Sequence, residues 1–257
     1  MTAPGSAVPP VVPGGGRGAL TIEGRLEPTN RWLWLAKWFL LIPHFVVLFF
    51  LFIAAFVLTV VAFFAILATG RYPRSIFDFN VGVLRWAWRV GFYGYNALGT
   101  DKYPPFSLNA DADYPATLDV PYPDRLSRPL VLVKWLLALP QYIIVAVFAG
   151  ATTVSTRNSY PSFLQVPFSG LISFLVIVAG IVLLFTTRYP RGIFDLAMGL
   201  NRWVYRVFVY VMLMTDEYPP FRLDMGGDEP YDAVSAAAPA PPPAPFGPPR
   251  APLPEGI

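Results

Sequence analysis

Charge penetrates the apolar part of this chain with regular spacing at only two places, and both carry the same residue types. Asp78, Arg85 and Arg89 stand at i, i+7 and i+11, and Asp195, Arg202 and Arg206 repeat those intervals. At about 100° per residue, the three side chains of each set fall within roughly 40° of one another on one helix face. Gly82 and Tyr93 extend the first stripe, and Gly199 and Tyr210 the second. Each aspartate lies about 10.5 Å along the axis from its first arginine, so the partners of these charges must come from outside the helix. Arginine binds phosphate and carboxylate oxygens in a two-pronged fork. One reading of the stripe is therefore an anionic headgroup site or a polar pathway in a membrane. The other is structural: an interfacial amphipathic helix, or an ion-pair zipper with Asp78 near Arg202 or Arg206 and Asp195 near Arg85 or Arg89.

Other chemistry is sparse. The chain has no cysteine, which excludes disulfides, thiolate catalysis and cysteine-ligated metals. Its one histidine, His44, follows Pro43 at the start of an apolar run, where it reads as an interfacial polar residue and not a metal ligand. No phosphate-binding glycine loop, nucleophile elbow or dinucleotide fingerprint occurs. No catalytic residue, metal site or cofactor is expected, and the chain reads as a non-enzyme. A net charge of +3 gives no footing for nucleic acid.

The elements that must position these charges are apolar helices. Hydrophobic residues make up 55% of the 257, charged residues only 14%, and mean hydropathy is positive. That balance, with charges gathered between long apolar runs, fits a protein whose solvent is hydrocarbon. His44 to Ala68 and Ser169 to Thr187 are uncharged and read as spans. Arg31 to Ile42 reads as an interfacial segment kinked at Pro43, with Lys37 and Trp38 at headgroup level and Lys134 and Trp135 as their counterparts. Pro129 to Ala149 could span or lie at the surface. Arg71, Tyr72 and Arg74, and again Arg188, Tyr189 and Arg191, form turns in which tyrosine anchors at the interface and arginines meet phosphates. The first 24 residues lack the basic-then-apolar order of a signal peptide, so the first apolar run is expected to direct insertion itself.

These features occur in two copies. Lys37-Trp38 followed by Pro43 recurs as Lys134-Trp135 followed by Pro140, an offset of 97. The block from Arg71 to Tyr93 recurs from Arg188 to Tyr210, an offset of 117, with 13 of 23 positions identical. Thr100-Asp101, Tyr103-Pro104-Pro105-Phe106 and Leu108 return as Thr215-Asp216, Tyr218-Pro219-Pro220-Phe221 and Leu223. The change of offset places an insertion of about 20 residues near the polar stretch 151–168. The organisation expected is a disordered tail over 1–24, a first membrane repeat over 25–108, a linker over 109–124, a second repeat over 125–224, and a disordered tail over 225–257. That last tail holds 10 prolines in 33 residues and could dock on a partner domain.

The Arg-Tyr-Pro, Ile-Phe-Asp and Tyr-Pro-Pro-Phe blocks make residues 25 to 224 resemble the bacterial membrane proteins grouped as domain of unknown function 4389, in two tandem copies. The resemblance implies membrane insertion and no activity. The fold expected is an all-α integral membrane protein with about four transmembrane helices plus interfacial amphipathic helices. In the leading topology each copy contributes a span and a following charged helix, Ile76 to Leu98 or Ile193 to Met214, that also spans, since no turn residue lies between His44 and Ala68 where a hairpin could close; in the other the first two segments form a hairpin and the charged helix lies on the surface. Both place the tails in the cytoplasm by the positive-inside rule, in a multi-pass protein of the bacterial cell membrane. The function expected is a non-catalytic scaffold or accessory protein engaging anionic lipid headgroups or protein partners. The alternatives are a small transporter or channel using the Asp/Arg stripes and a membrane-embedded lipid-modifying enzyme. Oligomeric state is not legible.

Overall fold

The computed structural model describes residues 20–150 and 170–225. In chain order these form strand β1 (Thr21–Gly24), helices α1 (Trp34–Thr69) and α2 (Arg74–Tyr93), strand β2 (Ala116–Asp119), and helices α3 (Arg128–Leu137), α4 (Leu139–Ala149), α5 (Leu171–Thr186) and α6 (Arg191–Val211). The chain is mostly helical, as expected. The Pro-rich tail beyond 225, its Pro239–Pro254 stretch, and Arg157 and Asn158 of the insertion lie outside the described residues.

Two boundaries change. Residues 21–24 do not belong to a tail: they form β1, which pairs antiparallel with β2 from within the expected linker, Ile22 opposite Leu118 and Gly24 opposite Ala116. Four-residue strands are too short to leave a periodic signature. The second change concerns Arg31 to Ile42, which is not a separate interfacial segment. Helix α1 runs 36 residues unbroken through Pro43, because contacts on the N-terminal side of the proline hold its first turns in line. Tyr95 donates to the Trp34 carbonyl at 2.8 Å, Tyr103 to the Leu40 carbonyl at 3.1 Å, and Lys37 to the Thr100 carbonyl at 2.7 Å. Gly70 ends α1 in a left-handed conformation, φ 72°, its N–H closing on the Ile66 carbonyl.

In the second copy the same rod is assembled from three pieces. α3 and α4 meet at a 49° bend beside Pro140. Among the buried positions of α1, Lys37, His44, Ala55, Thr59, Ala62 and Ile66 correspond at the two repeat offsets to Lys134, Gln141, Ile172, Val176, Ala179 and Leu183, all buried, while Val145, the counterpart of buried Leu48, is half-buried. The inserted segment leaves at Gly150 and returns at Gly170, where a Cβ would fall 2.5 Å from the Ala149 carbonyl carbon. The insertion interrupts the rod but leaves both halves in register with α1.

The two rods run antiparallel. Leu126, just before α3, donates its N–H to the Gly70 carbonyl at the end of α1 at 2.9 Å. Trp135 of α3 stacks on Phe63 of α1 with centroids 5.4 Å apart, and Trp34 in the first turn of α1 packs on Gly180 late in α5. α2 and α6 pack against the rods, and the ribbon lies across the middle of both. A large core joins Ile22 and Leu118 of the ribbon to Trp88 and Phe92 of α2 and Phe194 and Val209 of α6. Gly24 is needed there, since a Cβ would meet Phe92 Cε2 at 2.5 Å and Met198 Cε at 2.9 Å. The outer faces of the rods stay bare: Phe56 is 70% exposed, Ile143 71% and Phe185 80%. Among the described residues one helix, α1, is long and apolar enough to cross a membrane, or two if the bent α3–α4 pair counts as one span. α5 is apolar but only 16 residues long, so the expected count of about four spans is not reached.

Candidate functional site

The arginines of the two stripes converge on the ribbon, and they do so reciprocally. Arg85 of α2 donates through Nε to the Leu118 carbonyl of β2 at 2.9 Å and pairs with Asp119. Arg202 of α6 donates through Nε to the Ile22 carbonyl of β1 at 3.2 Å. Ile22 and Leu118 face each other in the ribbon, so each copy's helix grips the strand that precedes the other copy. Between the helices Trp88 meets Tyr205, the residue at the same position of the second copy, with centroids 5.5 Å apart. A pseudo-twofold axis therefore passes through the ribbon and this aromatic pair.

The zipper expected between the stripes is not formed. Asp78 is 61% exposed and pairs with Arg74 one turn earlier at 3.6 Å, while Asp195 sits half-buried near the start of α6. The arginines find main-chain carbonyls and the carboxylates of Asp119 and Asp224 instead, because the ribbon and the segments after α2 and α6 cover their faces. Bulky aromatics occupy the axis where the stripes would have met.

The expected anchors divide. Arg71, Arg74, Arg188 and Arg191 are exposed at the rod ends, and Trp38 and Trp135 are exposed on the rods, Trp135 donating to the Val211 carbonyl at 3.0 Å. Tyr72 and Tyr189 are not surface anchors: they tie the copies together. The Tyr72 hydroxyl donates to the Met212 carbonyl at 3.3 Å and Tyr189 to the Ala97 carbonyl at 2.7 Å, the same bond in each direction across the axis. Burial pushes the Tyr72 phenol up to about 12, against the opposing effect of Asn80, which donates to its oxygen. Lys37 and Lys134 are buried within the fold. Lys37 pairs with Asp101 at 2.9 Å, and Lys134 pairs with Asp216 at 2.6 Å and donates to the Thr215 carbonyl at 2.7 Å. Each aspartate also accepts the main-chain N–H ahead of its rod, from Asn30 or from Ser127. His44 is buried too, accepting from Trp86 Nε1 at 3.0 Å and stacked on Phe106. Gln141 takes its place in the second copy, bonded to Trp203.

One charged position breaks this symmetry. Arg206 pairs with the Asp224 carboxylate at 2.5 Å, and Arg202 donates to the Asp224 carbonyl at 2.9 Å. The offset of the Thr-Asp to Leu block places Asn109 where the second copy has Asp224. Asn109 is exposed and carries no charge. Arg89, the counterpart of Arg206, is 2% exposed and donates through Nη2 to the Ser107 carbonyl, while its Nε and Nη1 are buried without a hydrogen-bond partner. A buried guanidinium with unused donors is costly unless an anion completes it. Beside it lies a cavity of about 350 Å³ lined by Arg85, Arg89, Asn109, Asp111, Thr117 and Asp119, among others. Asp119 is engaged by Arg85, and Asp111 acts on Arg89 through its charge. Such a cavity suits a compact oxyanion held by a guanidinium fork. The carboxylates that pair with the lysines, Asp101 and Asp216, and with the arginines, Asp119 and Asp224, escaped the sequence reading; the second Thr-Asp pair was visible as a repeat, but its lysine partner lies more than 80 positions away. Among the described residues no cluster of three or more His, Asp or Glu could hold a metal ion.

Residues 31–107 and 166–222 match the profile of one family, described as a domain of unknown function (DUF4389). No curated protein and no solved structure matches the chain.

Proposed function

From the premise that this chain belongs to the DUF4389 family, with two copies of the domain, we propose that it is a non-catalytic protein of the bacterial cell membrane that holds an anionic group at Arg89. The observation that carries this reading is the broken symmetry of the arginine pair. Two sites built alike differ in that Arg206 has a carboxylate in hydrogen-bond contact, whereas Nε and Nη1 of Arg89 have no hydrogen-bond partner and the charge of Asp111 acts on it only through space. The ligand class is a phosphate or carboxylate, donated by an anionic lipid headgroup or by a water-borne partner. Arg89 supplies the fork, Arg85 and Asp119 fix the wall, and Thr117 adds a hydroxyl at the rim. The C-terminal Pro-rich segment is a second point of attachment for a partner.

Calorimetric titration of the purified protein with inorganic phosphate, beside co-sedimentation with vesicles of phosphatidylglycerol or of phosphatidylcholine, tests the reading and separates the sources. Phosphate binding that Arg89→Gln weakens about 30-fold, the size of one charge-assisted bond of about 2 kcal/mol, supports a free anion. Loss of the phosphatidylglycerol preference alone supports a headgroup. If Arg89→Gln changes neither, the site is structural and the reading fails.

A further inference from the structure

We infer that the two apolar rods lie flat in one leaflet of the bilayer and do not cross it, with the ribbon and the arginine cluster held on the water side. The inference does not depend on the Arg89 ligand. It starts from the antiparallel packing: α1 ends where α3 begins, since Gly70 bonds Leu126, and α1 starts beside α5, since Trp34 covers Gly180. If both rods crossed the bilayer, the pseudo-twofold axis would lie at mid-membrane, and the ribbon on that axis would lie there too. It cannot be comfortable at that depth. Thr21 and Glu23 are exposed, and Asp119 is 68% exposed. The linker that follows α2 adds exposed Asp113 and half-buried Asp111. Charged groups and a two-stranded sheet with open edges are not tolerated against hydrocarbon.

Length leads to the same conclusion. The 36 residues of α1 extend about 54 Å at 1.5 Å per residue, against a hydrocarbon core of about 30 Å. Its exposed apolar side chains run from Leu35 to Phe64, about 44 Å of rod on the same scale. An upright α1 would leave apolar surface in water at one end or both. A rod laid in the plane wets none of it, because a helix about 10 Å across fits within half the core thickness. The buried stripe from Lys37 to Ile66 faces the protein, flanked by half-buried residues such as Trp34, Leu51 and Phe63; the opposite side of the helix is bare. The charges at the rod ends agree as well. Arg31, Arg71, Arg74, Arg128, Arg188 and Arg191 are all exposed, which in a flat orientation rings the apolar face with cations at the level of anionic phosphates. In this orientation the Arg85–Arg89 cavity, walled by the ribbon, opens away from the lipid tails.

The native chain has no cysteine, so single cysteines report cleanly. Thr29→Cys and Ser75→Cys flank α1, and Phe39→Cys, Phe50→Cys and Phe64→Cys sample its bare face. In sealed vesicles of one orientation, a flat rod makes Thr29→Cys and Ser75→Cys react with a membrane-impermeant maleimide from the same side. Fluorophores at positions 39, 50 and 64 are then quenched by nitroxide lipids at one shared depth. Labelling from opposite sides, with position 50 deepest, overturns the inference in favour of an upright span. Free aqueous labelling of all three phenylalanine positions overturns it by removing the membrane altogether. Circular dichroism of each variant confirms that the comparison is made on folded protein.

Discussion

Replacing Asp216 with asparagine removes one charge of a buried pair and leaves the other in place. Lys134 is fully buried, with its ammonium 2.6 Å from Asp216, 2.7 Å from the Thr215 carbonyl and 5.4 Å from the centre of the Tyr210 ring. The carboxylate is 28% exposed and also receives the Ser127 N–H. An orphaned buried charge costs about 3–5 kcal/mol. The surviving carbonyl bond and the partial exposure of Asp216 place the expected loss near the lower end, about 3 kcal/mol. Lys134→Met removes the other charge, and the double variant should recover most of the loss, since an apolar replacement of a whole buried pair is often close to neutral. A coupling of about 2 kcal/mol is expected from the cycle. Equilibrium unfolding in detergent, followed by fluorescence of the seven tryptophans, measures it. The same cycle at Lys37 and Asp101 should return a similar value, because the geometry repeats. A loss below about 0.5 kcal/mol for Asp216→Asn, with additive single variants, would show that the pair is an ordinary exposed ion pair and that the burial argument is wrong.

Three more outcomes follow from the comparison of the copies. Thr187 ends α5 at φ 59°, where the first copy has Gly70 at φ 72°; Thr187→Gly should therefore stabilise by about 1 kcal/mol in the same assay, and a loss would mean that the threonine side chain outweighs the strain. Deleting residues 151–170, which joins Gly150 to Leu171 and restores the offset of 97, should leave the far-ultraviolet spectrum and the unfolding midpoint nearly unchanged; collapse of the fold would refute the continuity of the second rod. Because burial raises the Tyr72 phenol from its usual value of 10.0 to about 12, the folded state holds that proton longer than the unfolded chain. The contribution is complete below pH 10 and fades as pH rises toward 12, so Tyr72→Phe should flatten the alkaline fall of stability; an unchanged profile would contradict the burial of the phenol.

The parts of this molecule that sequence made legible are those with a local period. The duplication, the regular spacing of Asp78, Arg85 and Arg89, and the place of the insertion are all carried by neighbours in the chain. What escaped depends on contacts across the axis. Tyr72 and Tyr189 look like interfacial tyrosines because nothing near them in sequence announces Met212 or Ala97 as acceptors. Lys37 and Lys134 look like headgroup lysines because composition alone sends a cation beside an apolar run to the surface. Pro43 suggested a kink, yet tertiary bonds to Trp34 and Leu40 override it. The Asn109 and Asp224 difference could have been read from the repeat alignment, one residue past the last matched leucine, but it gains meaning only once Arg206 and Arg89 are seen to face those positions.

The most direct test exchanges that difference. Asn109→Asp gives Arg89 the carboxylate that Arg206 already has, through a change of charge and not of size at one residue of the cavity lining. Phosphate titration of this variant should show affinity reduced at least tenfold, equivalent to about 1.4 kcal/mol, with an unfolding midpoint equal to or above that of the parent. Undiminished phosphate binding by Asn109→Asp would contradict the claim that Arg89 is held open for an anion.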